Sequence, residues 1–135
     1  MDVFSIYVPS KGRPDCITAN QLKKYNINFN IVIEPQDYNN YKNNWSNLLV
    51  LGKNDQGISY ARQSIINYAK MNKQKWIWMI DDDITEWWYR KDNQGCIKAD
   101  ISFLKDIENN ILKHPDKNRI GQFGLYHCVW ACKKN

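Results

Sequence analysis

The run Trp76-Ile77-Trp78-Met79-Ile80 constrains this chain more than any other feature. Five consecutive apolar residues offer no polar side to water, so a strand built from them is buried on both faces. It reads as a central strand of a sheet covered by helices. The run stops at Asp81-Asp82-Asp83, so the same strand delivers three carboxylates to one end of the sheet. In an extended segment Asp81 and Asp83 point to one side and Asp82 to the other.

The rest of the chain supplies the alternation that such a sheet needs. Residues 3–8 (VFSIYV) are β-branched and aromatic and read as the first strand. A turn at Ser10-Lys11-Gly12-Arg13 follows, and Pro14 opens a helix predicted to reach about residue 25. Residues 27–33 and 48–51 read as the next two strands, separated by a polar stretch with Tyr38, Tyr41 and Trp45 that suits a short helix or an ordered loop. Ile58, Ala61, Ile65 and Ala69 form a helical stripe over residues 58–71. After the acidic triplet, residues 84–98 read as an aromatic loop or hairpin. Asp100 is placed to cap a helix with the stripe Ile101, Leu104, Ile107 and Ile111, and residues 121–129 read as a last strand. The pattern predicts an α/β fold: a mostly parallel sheet in a Rossmann-like, three-layer α/β/α nucleotide-binding core.

Composition narrows the class. A chain of 135 residues with 43% apolar side chains suits one domain with a real core and is too apolar for disorder. No segment is long and apolar enough to cross a membrane, and residues 1–8 lack the basic region and cleavage site of a signal peptide, so a cytoplasmic location is expected. The net charge of +5 favours anionic partners such as nucleotides, phosphates or nucleic acid without choosing among them. Cys16, Cys96, Cys128 and Cys132 form no CxxC pair and are expected as free thiols. His127, Cys128 and Cys132 lack a nearby fourth zinc ligand. There is no GxxxxGK[ST] loop and no GxGxxG, which removes the main support for ATPase and dinucleotide-binding readings.

In parallel sheets, ligands bind beyond the carboxyl ends of the strands. The residues at those ends are Pro9, Ser10, Lys11 and Arg13 after the first strand, Glu34 after the second, the loop from Gly52 to Gly57 after the third, and Asp81-Asp82-Asp83 after the fourth. Three adjacent carboxylates repel one another unless a cation compensates, and Mg²⁺ or Mn²⁺ takes carboxylate and phosphate oxygens as ligands. The other reading of the triplet is a solvated acidic turn. Gly57 leads into a helix whose N-terminus favours a phosphate, and Arg62 lies one turn inside it, either reaching a diphosphate oxygen or solvated as a surface charge. Glu34 either accepts the imide N–H of a pyrimidine base or caps the sheet edge in water. Lys11 and Arg13 either neutralise phosphate or are ordinary turn charges. Trp87, Trp88 and Tyr89 pack as core or stack on a sugar or a base.

VPSKGRP after the first strand, an acid after the second, a glycine loop feeding GISYARQSI, and then WIWMIDDDI together resemble GT-A glycosyltransferases of the family-2-like type. SKGRP combined with the Trp-apolar-Asp-Asp-Asp-Ile strand end is similar to the phage TET-associated DNA glycosyltransferases. The resemblance implies a metal-dependent transfer from a nucleoside-diphosphate sugar, foremost a UDP-sugar, to a hydroxyl acceptor such as a hydroxymethylated DNA base. It places Glu34 by the nucleobase, Arg62 near the diphosphate and Asp81 by the ribose. Asp83, with Asp82 and also Asp81, holds Mn²⁺ or Mg²⁺, Asp83 and Asp82 being the catalytic candidates, and His127 on the last strand is a candidate late metal ligand. Such enzymes continue well past this strand, whereas about fifty residues follow Asp83 here. The whole chain is therefore expected as one GT-A-like domain, residues 1–135, with a short acceptor half from about residue 84. A partner chain or dimer is a candidate to complete the acceptor site. Base candidates are Asp92, Asp100, Asp106, Glu108 and Asp116. Alternative readings are a minimal GT-A-like module that binds nucleotide or sugar without catalysis, a nucleotidyltransferase, and a simple DNA-binding protein.

Overall fold

The computed structural model describes residues 4–125, and the chain divides into two compact units, Met1–Thr85 and Glu86–Asn135. The first unit holds a four-stranded sheet. Its strands are β1 (Ser5–Pro9), β2 (Asn30–Ile33), β3 (Leu48–Val50) and β4 (Ile77–Met79), in the order β3-β2-β1-β4, and all the pairings are parallel. Helices α1 (Ile17–Lys24), α2 (Tyr38–Tyr41) and α3 (Gly57–Met71) fill the connections. The chain steps outward from β1 through β2 to β3, then returns through α3 to place β4 against the free side of β1. Right-handed crossovers in these opposite directions put α1 and α3 on opposite faces of the sheet, the expected three-layer α/β arrangement.

Period-two alternation sorts the core into two faces. On the α3 face Tyr7, Val32 and Leu51 pack with Ala61 and Ile65, joined at the margin by Leu49, Ile77 and Met79. Ile65 is fully buried and contributes about 2–3 kcal/mol by leaving water. The opposite face is apolar too: Phe4, Ile6, Val8, Ile31 and Ile33 are buried, and α1 adds Ala19 and Leu22. Phe4 stacks on Trp76 with ring centroids 5.7 Å apart and lies 6.4 Å from Trp78.

These contacts correct one expectation. Among the described residues β4 pairs with β1 alone and forms the sheet edge rather than a central strand. Its continuous apolarity records coverage on both faces, which an edge strand under helices also experiences. Ile58 departs from its predicted stripe as well. It is half exposed in the first turn of α3, before the helix meets the sheet, while Ala61, Ile65 and Ala69 are buried.

The second unit opens with an antiparallel hairpin, β5 (Trp87–Lys91) and β6 (Gly95–Ala99), with Trp87 opposite Ala99 and Lys91 opposite Gly95. Trp87 packs on Phe103 at 5.5 Å, whereas Trp88 and Tyr89 are exposed. Asp100 Oδ1 accepts the Ser102 N–H at 2.9 Å and starts a 3₁₀ turn that runs into α4 (Leu104–Lys113). Glu108 is buried and paired with Lys105 at 2.9 Å. Residues 121–125 are not strand; the rest of the predicted last strand, including His127, lies outside the described residues. Cys16 is a free, buried thiol. Cys96, against expectation, is disulfide-bonded, because that expectation followed a compartment tendency and not the proximity of sulfurs; Cys128 and Cys132 lie outside the described residues. No helix among the described residues is long and apolar enough to cross a membrane.

Candidate active site at the end of the parallel sheet

The strand order reverses at β1. Its own connection leaves toward β2, while β4 arrives on the other side, so the carboxyl ends of β1 and β4 form a topological switch point. The loop from Ser10 to Arg13 leaves one end and Asp81-Asp82-Asp83 leaves the other.

Asp82 faces away from Asp81 and Asp83, as expected, but in a turn after β4 rather than in extended strand, and it is buried at 5% exposure. Ser10 Oγ donates to Asp82 Oδ2 at 2.6 Å, and Arg13 Nη2 reaches Asp82 Oδ1 at 3.3 Å. The Ser10 hydroxyl also meets the Tyr41 hydroxyl at 2.7 Å, and the Arg13 backbone N–H donates to Tyr41 at 2.8 Å. Gly12 carries φ +64°, a left-handed turn that suits glycine, and its N–H donates to Asp37 Oδ2 at 3.1 Å. Both oxygens of Asp82 are therefore engaged by protein groups.

Asp81 and Asp83 face outward, with side chains 58% and 55% exposed. Each meets one guanidinium: Arg62 Nη2 lies 3.3 Å from Asp81 Oδ1, and Arg13 Nη1 lies 3.3 Å from Asp83 Oδ2. Exposed pairs of this kind are weak and exchange partners readily. The backbone beneath them is fixed. The buried Thr18 Oγ1 donates to the Asp81 carbonyl at 2.6 Å and accepts the Ile84 N–H at 3.1 Å, and the Thr18 N–H donates to the Asp82 carbonyl at 3.1 Å. Gln21 Nε2 adds a bond to the Ile84 carbonyl at 2.8 Å. The first turn of α1 thus holds the acidic loop. Cys16 caps the same turn, its sulfur accepting the Ala19 N–H at 3.4 Å, and burial pushes its thiol up to about 11.

A second cluster joins the ends of the first three strands. Lys11 Nζ lies 3.2 Å from Glu34 and 2.5 Å from Asp55, and Gln36 Nε2 donates to Glu34 Oε2 at 2.5 Å and to Asp55 at 3.1 Å. Burial raises the Glu34 carboxyl, but the Asp55 backbone N–H, Gln36 and Lys11 outweigh it and hold the group below its ordinary value. Hydrogen bonds from Lys11 and Gln36 also lower Asp55, and the Asp55 and Glu34 carboxylates raise Lys11. Glu34 is thus already engaged by protein groups.

The fold gathers most of the residues proposed from sequence. Ser10, Arg13, Asp82 and Asp83 share one network, Arg62 and Asp81 form a pair, and Lys11 and Glu34 form another with Asp55. Pro9 is buried as the last residue of β1. Gly57 starts α3 with φ +83°, and no atom lies within 4 Å of the place a Cβ would take, so backbone conformation rather than close packing explains the glycine. Sequence reasoning gave no role to Thr18, Gln36, Tyr41 or Asp55. A threonine on the first turn of α1 and a tyrosine amid a polar stretch were visible, but their partners lie 63 and 31 residues away in sequence.

Among the described residues, no group of three or more His, Cys, Asp or Glu side chains is arranged to hold a metal ion. Mg²⁺-type sites nonetheless need only one or two carboxylates when substrate phosphates and water complete the shell. Asp81 and Asp83 fit that requirement as outward carboxylates on a fixed backbone.

The sequence matches the family model of the TET-associated glycosyltransferases over residues 4–130. The chain belongs to this family. No curated protein and no solved structure matches it. As a TET-associated glycosyltransferase it is an enzyme that takes a sugar donor and an acceptor. The match covers residues of both compact units.

Proposed function

We propose that this TET-associated glycosyltransferase moves a sugar from a nucleoside-diphosphate sugar, foremost a UDP-sugar, to a hydroxyl acceptor with Mn²⁺ or Mg²⁺ bound at Asp81 and Asp83. The acceptor suggested by the sequence resemblance is a hydroxymethylated DNA base. The observation that carries the reading is the pair of outward carboxylates at the β1/β4 switch point, each beside an arginine.

In this reading the donor diphosphate enters between Arg13 and Arg62. Each guanidinium exchanges a solvent-exposed carboxylate contact for phosphate oxygens, which it binds with better geometry. Asp81 and Asp83 would then be free to hold the cation, which would supply Lewis-acid stabilisation of the departing diphosphate. Asp82 stays with Ser10 and is not a ligand. Glu34 accepts the imide N–H of the base in place of Gln36. The acceptor oxygen bonds to the anomeric carbon as the bond from that carbon to the diphosphate oxygen breaks, and the hydroxyl proton passes to a base.

The test is release of UDP, GDP or TDP from a panel of nucleotide sugars by the full chain, with Mn²⁺ and again with EDTA. Metal-dependent release with a matching glycosylated acceptor is expected. A folded sample that neither binds nor turns over any donor would sink the proposal. Tight nucleotide binding without sugar transfer would instead assign a binding module.

A further inference from the structure

Four groups at the switch point close a ring, and the proton positions along it are determined. A backbone N–H only donates, so Arg13 N–H gives its proton to the Tyr41 oxygen at 2.8 Å. Ser10 gives its one hydroxyl proton to Asp82 Oδ2 at 2.6 Å. The Tyr41 hydroxyl must then donate to Ser10 at 2.7 Å. Arg13 Nη2, meeting Asp82 Oδ1 at 3.3 Å, completes the circuit. Each hydroxyl both accepts and donates in one direction, so the bonds polarise one another toward the Asp82 carboxylate. Tyr41, Asp82 and Ser10 are at most 8% exposed, whereas the Arg13 side chain is 59% exposed.

The ring therefore grips the same residue twice, at its backbone N–H and at its guanidinium, and leaves the remainder of that guanidinium in solvent beside Asp83. Its members come from three elements distant in sequence: the loop after β1, α2 and the loop after β4. A surface arginine ordinarily loses much rotamer entropy when it grips a ligand, and one already held at two points loses less.

We infer that Tyr41, Ser10 and Asp82 are positioning residues that fix Arg13 as the phosphate-binding arm of the donor site. The inference rests on the diphosphate reading above. Asp82 on this view contributes to donor affinity through Arg13 and not through a metal.

The experiment is a double-mutant cycle on the full chain, read by calorimetric titration with inorganic pyrophosphate and Mg²⁺. Arg13→Ala is expected to weaken binding about tenfold or more, and Tyr41→Phe, which removes a single hydroxyl, by about threefold to tenfold. Tyr41→Phe added to Arg13→Ala should produce no further loss, because its effect passes through an arginine that is gone. Ser10→Ala repeats the cycle from a second position, with thermal melting confirming that each variant is folded. Full additivity of the two losses, or unchanged pyrophosphate affinity in both Tyr41→Phe and Ser10→Ala, would overturn the inference while leaving a diphosphate site standing. A wild-type chain that binds neither pyrophosphate nor UDP would overturn the donor reading and this inference with it.

Discussion

Ser10 Oγ donates a 2.6 Å hydrogen bond to Asp82 Oδ2 across 72 residues of sequence. The bond ties the end of β1 to the end of β4 at the point where the strand order reverses. It makes the middle residue of the acidic triplet part of the protein interior while its neighbours stay in water.

Asp82→Ala should destabilise the fold by about 2–3 kcal/mol, because it strands Ser10 and removes the inner partner of Arg13. Asp82→Asn keeps shape and one acceptor oxygen and should cost less. Urea denaturation of both variants measures the difference, and equal losses would mean that charge rather than shape matters here.

Asp83→Ala should remove metal-dependent binding of nucleoside diphosphates while shifting stability by no more than about 0.5 kcal/mol, as expected of a largely exposed side chain. Binding of UDP with and without Mn²⁺, alongside a melting curve, separates the two effects. Retained metal-dependent binding would reject Asp83 as a ligand.

Thr18→Val preserves volume but leaves the Asp81 carbonyl and the Ile84 N–H without their hydroxyl partner. A loss of about 1–3 kcal/mol in unfolding free energy is expected. Transfer activity should fall by more than the folded fraction explains, because the carboxylates above that backbone lose their fixed positions. Activity per folded molecule is the deciding quantity.

The cluster of Lys11, Glu34 and Asp55 gives stability a definite pH window. Lys11 is raised above its ordinary 10.5, so its contribution is complete below that value and disappears as pH rises through the folded value. Glu34 and Asp55 are lowered from 4.5 and 3.8, so their contributions are complete above those values and are lost as pH falls through the folded ones. Lys11→Met should flatten the part of the alkaline decline due to this lysine and weaken the acid dependence. Unfolding free energy of wild type and variant measured from pH 3 to 11 tests both limbs.

Cys16 should resist alkylation in the folded protein at pH 8, since it is buried and its thiol titrates only near 11. Mass spectrometry of the Cys16 peptide after iodoacetamide treatment, native against urea-unfolded, reads this directly. Rapid native labelling would contradict the buried placement.

Much of the architecture was legible because it depends on periodicity. Ala61, Ile65 and Ala69 announced α3, and alternation set Asp82 facing away from Asp81 and Asp83, without saying which of them would be buried. The place of β4 in the sheet was not legible. Apolar residues on both faces report that helices cover a strand, and they are silent on how many neighbours it pairs with. The state of Cys96 and the exposure of Trp88 and Tyr89 escaped for a related reason, since each depends on what else reaches that position.

The sequence by itself determined which residue types would stand at the carboxyl ends of the strands, because strand lengths and turn residues are local matters. Only the tertiary structure decided their partners. Arg13 lies nearly seventy residues from Asp82 and Asp83, and Arg62 nineteen from Asp81, and nothing local selects those pairings. Strand order does: bringing β4 beside β1 sets the triplet against the Ser10–Arg13 loop. There burial makes an inner tie of Asp82, and exposure leaves Asp81 and Asp83 in water beside their arginines.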